Sequence, residues 1–245
     1  MAPSIRTIRS YATQEKFSVD FFGDEIIVTV TPDPSVIGQW IHDVLFSSRR
    51  SSHPLLVGLG VYWTPNRSRS DPQPVQYRSD SQPVRYRSRS PPPVRHRSPE
   101  PEADTLQLCV GNRCIIIQLS RCHRVPNVLR RFLEDGDNTF VGVWNSQDAK
   151  KLEESRHQLE VVRLLDLRVH IVDSTGSRTL SNCSFEEIVE ENLGHRGVRL
   201  ERAISMSNWS VEYLSDDQIL QATIDAYCSF KLGVLDHLWE KQNYY

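Results

Sequence analysis

Two hydrophobic periods alternate along the chain. Lys16–Phe22 (KFSVDFF) and Glu25–Val30 (EIIVTV) flank Gly23-Asp24 and read as a hairpin. Leu55–Val61 (LLVGLGV) is a continuous apolar run, the pattern of a strand buried on both faces. Thr105–Val110 and Arg113–Leu119 form a second hairpin around Gly111-Asn112, and Thr139–Val143 is a further short buried strand. The helical period begins at Asp33-Pro34. Up to Phe46 it places Val36, Ile37, Trp40, Ile41, Val44 and Leu45 on one stripe. Val125–Leu133 and Ser146–Ser155 predict shorter helices. Ser184-Phe185-Glu186-Glu187 is a capping box opening a helix that runs to Leu193 and stops at Gly194. Ser215-Asp216-Asp217-Gln218 is a second box, opening a long helix through Ile219, Leu220, Ala222, Ala226, Tyr227, Phe230, Leu235 and Leu238. Antiparallel strands, a helix, mixed elements and a helical C-terminal third predict an α/β fold.

One stretch has neither period. Residues 66–102 are rich in Pro, Ser and Arg and nearly free of aliphatic side chains. They carry a worn repeat: Pro74-Val75-Gln76-Tyr77-Arg78-Ser79, Pro83-Val84-Arg85-Tyr86-Arg87-Ser88 and Pro93-Val94-Arg95-His96-Arg97-Ser98. So little apolar surface cannot offset the entropy of ordering, which predicts a disordered insertion within one domain spanning 1–245. Charge sharpens the contrast. Residues 67–99 hold eight Arg and two acids, a net of +6, so the rest of a chain whose total is −2 carries −8. A basic segment on an acidic body argues against a broadly basic nucleic-acid face on the body itself. The Arg-Ser dipeptides fit a solvated spacer. They also fit a binding arm, with Arg78, Arg85, Arg87, Arg89, Arg95 and Arg97 as candidate phosphate contacts and Tyr77, Tyr86 and His96 interleaved for stacking. Phosphorylation of its serines would reverse the charge.

Composition excludes some classes. With 38% hydrophobic and 24% charged residues the chain is of the soluble globular type, and no run approaches the roughly 20 apolar residues of a membrane span. Its N-terminus has no apolar signal core. Five cysteines, an odd count, point to a reducing compartment, nucleus or cytoplasm, without a disulfide framework. Cys109, Cys114 and Cys122 with His123 lack zinc-site spacing and read as buried small apolar residues.

Three motifs then carry a resemblance. Val57-Gly58-Leu59-Gly60-Val61-Tyr62-Trp63-Thr64-Pro65 is similar to the first motif of Werner-syndrome-type 3'-5' exonucleases, especially their plant branch, where it runs V-G-hydrophobic-D-hydrophobic-E-W-x-P. Phe140-Val141-Gly142-Val143, then Asp148 and Lys151-Leu152, resembles the second. Ser207-Asn208-Trp209-Ser210, followed by Leu214, Asp217-Gln218 and Ile224-Asp225-Ala226-Tyr227, resembles the third. The implied fold is ribonuclease-H-like: a mixed sheet flanked by helices. The implied chemistry uses four carboxylates and a tyrosine around two Mg²⁺ or Mn²⁺ ions that clamp the scissile phosphate.

Position by position, the first carboxylate falls on Gly60, the second on Tyr62 and the tyrosine on Gln221, whereas Asp148 and Asp225 are retained. Asp148 also fits a plain helix-start residue favoured by the dipole. Gln221 and Asp225 are one helical turn apart and share a face. Asp148 and Asp225 are thus the retained candidate metal ligands, weak ones, and a paired two-metal site is not expected. Trp63 and Trp209 read as core or groove-floor aromatics. The leading expectation is a nucleic-acid-binding protein, for single-stranded DNA or RNA, with degraded catalysis. The alternatives are a residual exonuclease that recruits other acids, such as Asp24 or Glu25, and a protein-interaction subunit that docks on active relatives.

Overall fold

The computed structural model describes residues 3–51, 53–66, 100–172, 176 and 180–241. Eight strands form one mixed sheet, in the order β1-β2-β3-β6-β5-β4-β7-β8. β1 (Ser4–Ser10), β2 (Glu15–Phe21) and β3 (Asp24–Thr31) make an antiparallel meander. α1 (Pro34–Ser48) follows, capped by the Asp33 carboxylate, which accepts from the amides of Ser35 and Val36. β4 (Leu56–Tyr62) is the hub of the sheet: antiparallel to β5 (Thr105–Val110) and parallel to β7 (Thr139–Gly142). β6 (Arg113–Gln118) closes the β5 hairpin and runs parallel to β3, and β8 (Leu164–Asp166) runs parallel to β7 at the far edge.

Helices cover both faces. Val57, Leu59 and Val61 of β4 point into a core shared with α1 and α2 (Asn127–Glu134). The opposite face takes Tyr62 and Leu56 toward α7 (Asp216–Leu235), with α5 (Phe185–Leu193) beside it. Gly58 explains how closely α7 lies on the sheet. A Cβ there would stand 1.9 Å from the Ala226 carbonyl oxygen, so only glycine admits the helix backbone. Both expected capping boxes form, at Ser184 and Ser215, and Gly194 ends α5 in the left-handed conformation at φ 72°.

Several elements differ from expectation. β1 was not predicted, because most of its residues are exposed and no apolar face marks it. β8 is only three residues long, too short for a periodic signal. The helix expected over 146–155 is a 3₁₀ turn at Asn145–Gln147 followed by α3 (Asp148–Glu153). Two short helices, α4 (Leu167–His170) and α6 (Arg202–Ser205), are additional. Cys109 and Cys114 are disulfide-paired, not separate buried thiols. The tight turn at Gly111-Asn112 makes them directly opposed partners with Cα atoms 4.2 Å apart, a separation that the hairpin register alone dictates. Cys122, Cys183 and Cys228 are buried and free.

Residues 100–102, expected within the insertion, are among the described residues. Lys151 Nζ meets the Glu100 carboxylate at 3.3 Å and the Pro101 carbonyl at 2.9 Å, and the Arg156 amide donates to Glu102 at 3.1 Å. A clasp joins the segment after β4 to the one before β5: Thr64 donates from its amide (2.7 Å) and its hydroxyl (2.6 Å) to Asp104. The remainder of the basic insertion, with all six candidate arginines, lies outside the described residues.

Candidate active site

The parallel strands β4, β7 and β8 deliver their carboxyl ends to one side of the sheet, where α/β proteins build sites. Asp148 opens α3 just beyond β7 and is buried; Asp225 comes in from α7. At Gly60 on β4 a Cβ would stand 3.1 Å from Asp225 Oδ2, so this strand position faces that carboxylate at contact distance.

Tyr62 fills the centre of the site. It is buried, and its hydroxyl donates to Asp225 Oδ2 at 3.2 Å. The same hydroxyl accepts a long bond, 3.5 Å, from Gln221 Nε2. Its ring stacks on the indole of Trp209, with centroids 4.1 Å apart and planes 15° from parallel. Trp209 is fixed in turn by its own amide, which donates to Thr64 Oγ1 at 2.9 Å, and by Nε1, which donates to the Ser205 carbonyl at 3.1 Å. Trp209 is therefore a core aromatic, one of the two places expected for it, fully buried beneath Tyr62. Gln221 also donates to Ser205 Oγ (2.9 Å) and accepts from the Glu201 amide (2.7 Å), tying α7 to the segment around α6. Gly60, Tyr62, Gln221 and Asp225 thus lie against one another, and Asp148 is close enough to Asp225 for their charges to interact.

Burial dominates the acid–base chemistry. The Asp225 carboxyl is pushed up to about 7 by burial, partly offset by the hydrogen bond from Tyr62. Asp148 is raised well above the carboxylate range, first by burial and then by the charges of Asp225 and Asp166. Burial and the neighbouring Asp225 also raise the Tyr62 phenol, which stays protonated and donating. Burial thus disfavours charge on both acids, and the Asp225 charge disfavours it further on Asp148.

The acids offered as replacements lie elsewhere. Asp24 sits at the β2–β3 turn, accepting from Tyr227 Oη at 2.5 Å and from Lys231 Nζ at 3.4 Å. Glu25 accepts from Ser18 Oγ (2.6 Å) and pairs with Arg6 (2.7 Å). Both lie on β3, separated from β4 by β6 and β5 in the sheet, so neither reaches Asp148 or Asp225. Among the described residues, no three His, Cys, Asp or Glu side chains come together in a group that could hold a metal ion.

Sequence reasoning missed two neighbours. Asp166, at the end of β8, is close enough to disfavour charge on Asp148, but its carboxylate is forked by the Arg168 guanidinium. Gln107 is the direct cross-strand partner of Gly60. Its Oε1 lies 3.2 Å from the Gly60 Cβ position and has no hydrogen-bond partner. The alternation in Thr105-Leu106-Gln107-Leu108 marks Gln107 as sharing the Thr105 face, but only the β4–β5 register aims it at Gly60.

Comparison with known proteins agrees with this topology. A family model described as 3'-5' exonuclease matches residues 94–242. A "3'-5' exonuclease" of Drosophila grimshawi is 26% identical over 133 residues, 51% of this chain and 39% of that protein. The human "Exonuclease 3'-5' domain-containing protein 2" is 30% identical over 125 residues, 49% of this chain and 20% of that protein. The matches thus span well under half the length of these relatives. Among solved structures, the Nibbler EXO domain of Aedes aegypti superposes with a TM-score of 0.57 at 13% identity, covering 86% of this chain and 87% of that one. Escherichia coli RNase D superposes with a TM-score of 0.56 at 16% identity, covering 86% and 44%. With the family model spanning most of the chain and the fold shared with these enzymes, this protein belongs to the 3'-5' exonuclease family.

Proposed function

We propose that this protein binds single-stranded nucleic acid on an exonuclease scaffold whose hydrolytic chemistry is lost. The reading is carried by one observation: the Tyr62 hydroxyl, not a second carboxylate, occupies Asp225 Oδ2, with Gly60 facing the same oxygen. The donor set tells against a two-metal centre. Two carboxylates leave about two positive charges uncompensated beside a pair of divalent ions, in surroundings where such charge is costly. A phenol and two carboxamides supply no negative charge near neutral pH. The residues present therefore do not fit a pair of Mg²⁺ or Mn²⁺ ions. Within the family, the order of the three motifs supports the Werner-type branch.

On this reading the basic insertion supplies phosphate contacts through Arg78, Arg85, Arg87, Arg89, Arg95 and Arg97, and the groove supplies shape. RNA or DNA as ligand implies a nuclear or cytoplasmic site of action. Incubation of the purified protein with labelled single-stranded RNA and DNA in Mg²⁺ or Mn²⁺ tests it. Binding without trimming is expected. Trimming from the 3' end that disappears in Asp148→Ala and Asp225→Ala would establish an active enzyme instead. No binding to either polymer would leave a protein-interaction subunit.

A further inference from the structure

Trp144 stands outside everything described so far. It directly follows β7's last turn into the 3₁₀ segment, four positions before Asp148, and its backbone is left-handed at φ 61°. A bulky residue in that region is an outlier, since asparagine or glycine would sit there with less strain. The residue is 57% exposed although its side chain is among the largest apolar groups of the chain. Strain and exposure together go against both backbone preference and burial, so the fold itself does not account for a tryptophan here.

The ring is nevertheless held in place. The Arg168 guanidinium lies over it, 3.6 Å from the centroid. Arg168 is locked in turn by a fork onto Asp166, Nε to Oδ1 at 3.1 Å and Nη2 to Oδ2 at 2.5 Å, and by the Ser181 carbonyl at 3.3 Å. The charge of that guanidinium is already matched by Asp166, so it serves as a brace for the ring. What the assembly offers to solvent is a fixed π-face polarised by a cation behind it. Its place is beyond the carboxyl end of β7, four positions before Asp148, and Arg168 links it to Asp166 at the end of β8.

We propose that Trp144 is a stacking platform for a nucleobase of a single-stranded nucleic acid, with the base on the indole face opposite Arg168. This rests on the nucleic-acid-binding reading above and gives it a location on the body of the protein. Stacking needs no net positive charge, so it operates on an acidic body where phosphate attraction is weak. It is also tolerant of base identity, since every base has a π-face.

The test uses the full chain and a short fluorescein-labelled oligouridylate, read by anisotropy at low and at physiological salt. Trp144→Asn suits the left-handed backbone and removes the platform. It should keep or raise the thermal midpoint while weakening binding about tenfold at both salts, because a stacked base contributes little to counterion release. In the wild type the oligonucleotide should quench indole emission, and Trp144→Phe should remove most of that quenching while keeping much of the affinity. Wild-type affinity in Trp144→Asn, quenching that persists in Trp144→Phe, or a marked fall of the midpoint in Trp144→Asn each overturns the platform while leaving nucleic-acid binding standing. A wild type that binds no oligonucleotide overturns both.

Discussion

Gly60→Asp, Tyr62→Glu and Gln221→Tyr introduced together should convert a hydrogen-bonded plug into a cation-dependent site. The Gly60 Cβ would lie 3.1 Å from Asp225 Oδ2, so the first change sets a second carboxylate against an existing buried one. Two such charges about 4 Å apart at an effective dielectric of about 20 repel by about 4 kcal/mol, less once one takes a proton. The second change removes the Tyr62 donor to Asp225 and opens the space that its ring fills over Trp209. Near neutral pH, with chelator present, the triple variant should therefore melt well below the parent, by about 2–4 °C per kcal/mol for a chain of this size. Manganese at about a hundred times its dissociation constant should return about 2.7 kcal/mol. Thermal scanning with chelator and across a Mn²⁺ titration reads this directly, and binding should recover before any trimming activity does. Gly60→Asp alone should lose stability with little metal response, because groups that act as a unit do not restore function singly. A folded triple variant whose midpoint ignores Mn²⁺ would refute the placement of these three residues in the carboxylate and tyrosine positions.

Three further outcomes are expected. Asp225 has a folded-state value of about 7 against an ordinary 3.8, so its contribution favours folding at low pH and is lost as pH rises from about 4 through 7, by roughly 4 kcal/mol at most. Asp225→Asn should flatten that decline in urea unfolding measured at acid and alkaline pH, and a parent equally stable at both ends would sink the argument. Gly58→Ala drives a methyl into the Ala226 carbonyl and should cost at least about 3 kcal/mol or prevent folding, the largest effect of any single methyl added to β4; a variant with parental melting would mean that α7 does not lie where described. Deleting 67–99 removes a net +6 but keeps the Thr64–Asp104 clasp and the Lys151–Glu100 contact. The shortened chain should melt like the parent while its oligonucleotide affinity falls and loses salt dependence; an unchanged salt slope would remove the arm from the binding surface.

Sequence alone determined the elements whose signals are local. The Ser184 and Ser215 boxes, the Gly111-Asn112 turn and the apolar stripe of α1 are each specified within a few residues, and each forms where expected. The motif resemblance likewise singled out Gly60, Tyr62, Asp148, Gln221 and Asp225 from their spacing along the chain. The tertiary structure decided what those residues do to one another. Tyr62 and Asp225 are 163 positions apart, and their contact depends on α7 lying directly against β4, which rests on the missing side chain of Gly58. The β4–β5 register aims Gln107 at Gly60, and the sheet order keeps Asp24 and Glu25 away from the acid pair. Cys109 reaches Cys114 only through register, and Trp144 shows its strain only as a backbone angle. Periodicity and caps are short-range properties of the chain, but contacts between strand and helix are set by register, rotamer and burial, which no local window of sequence contains.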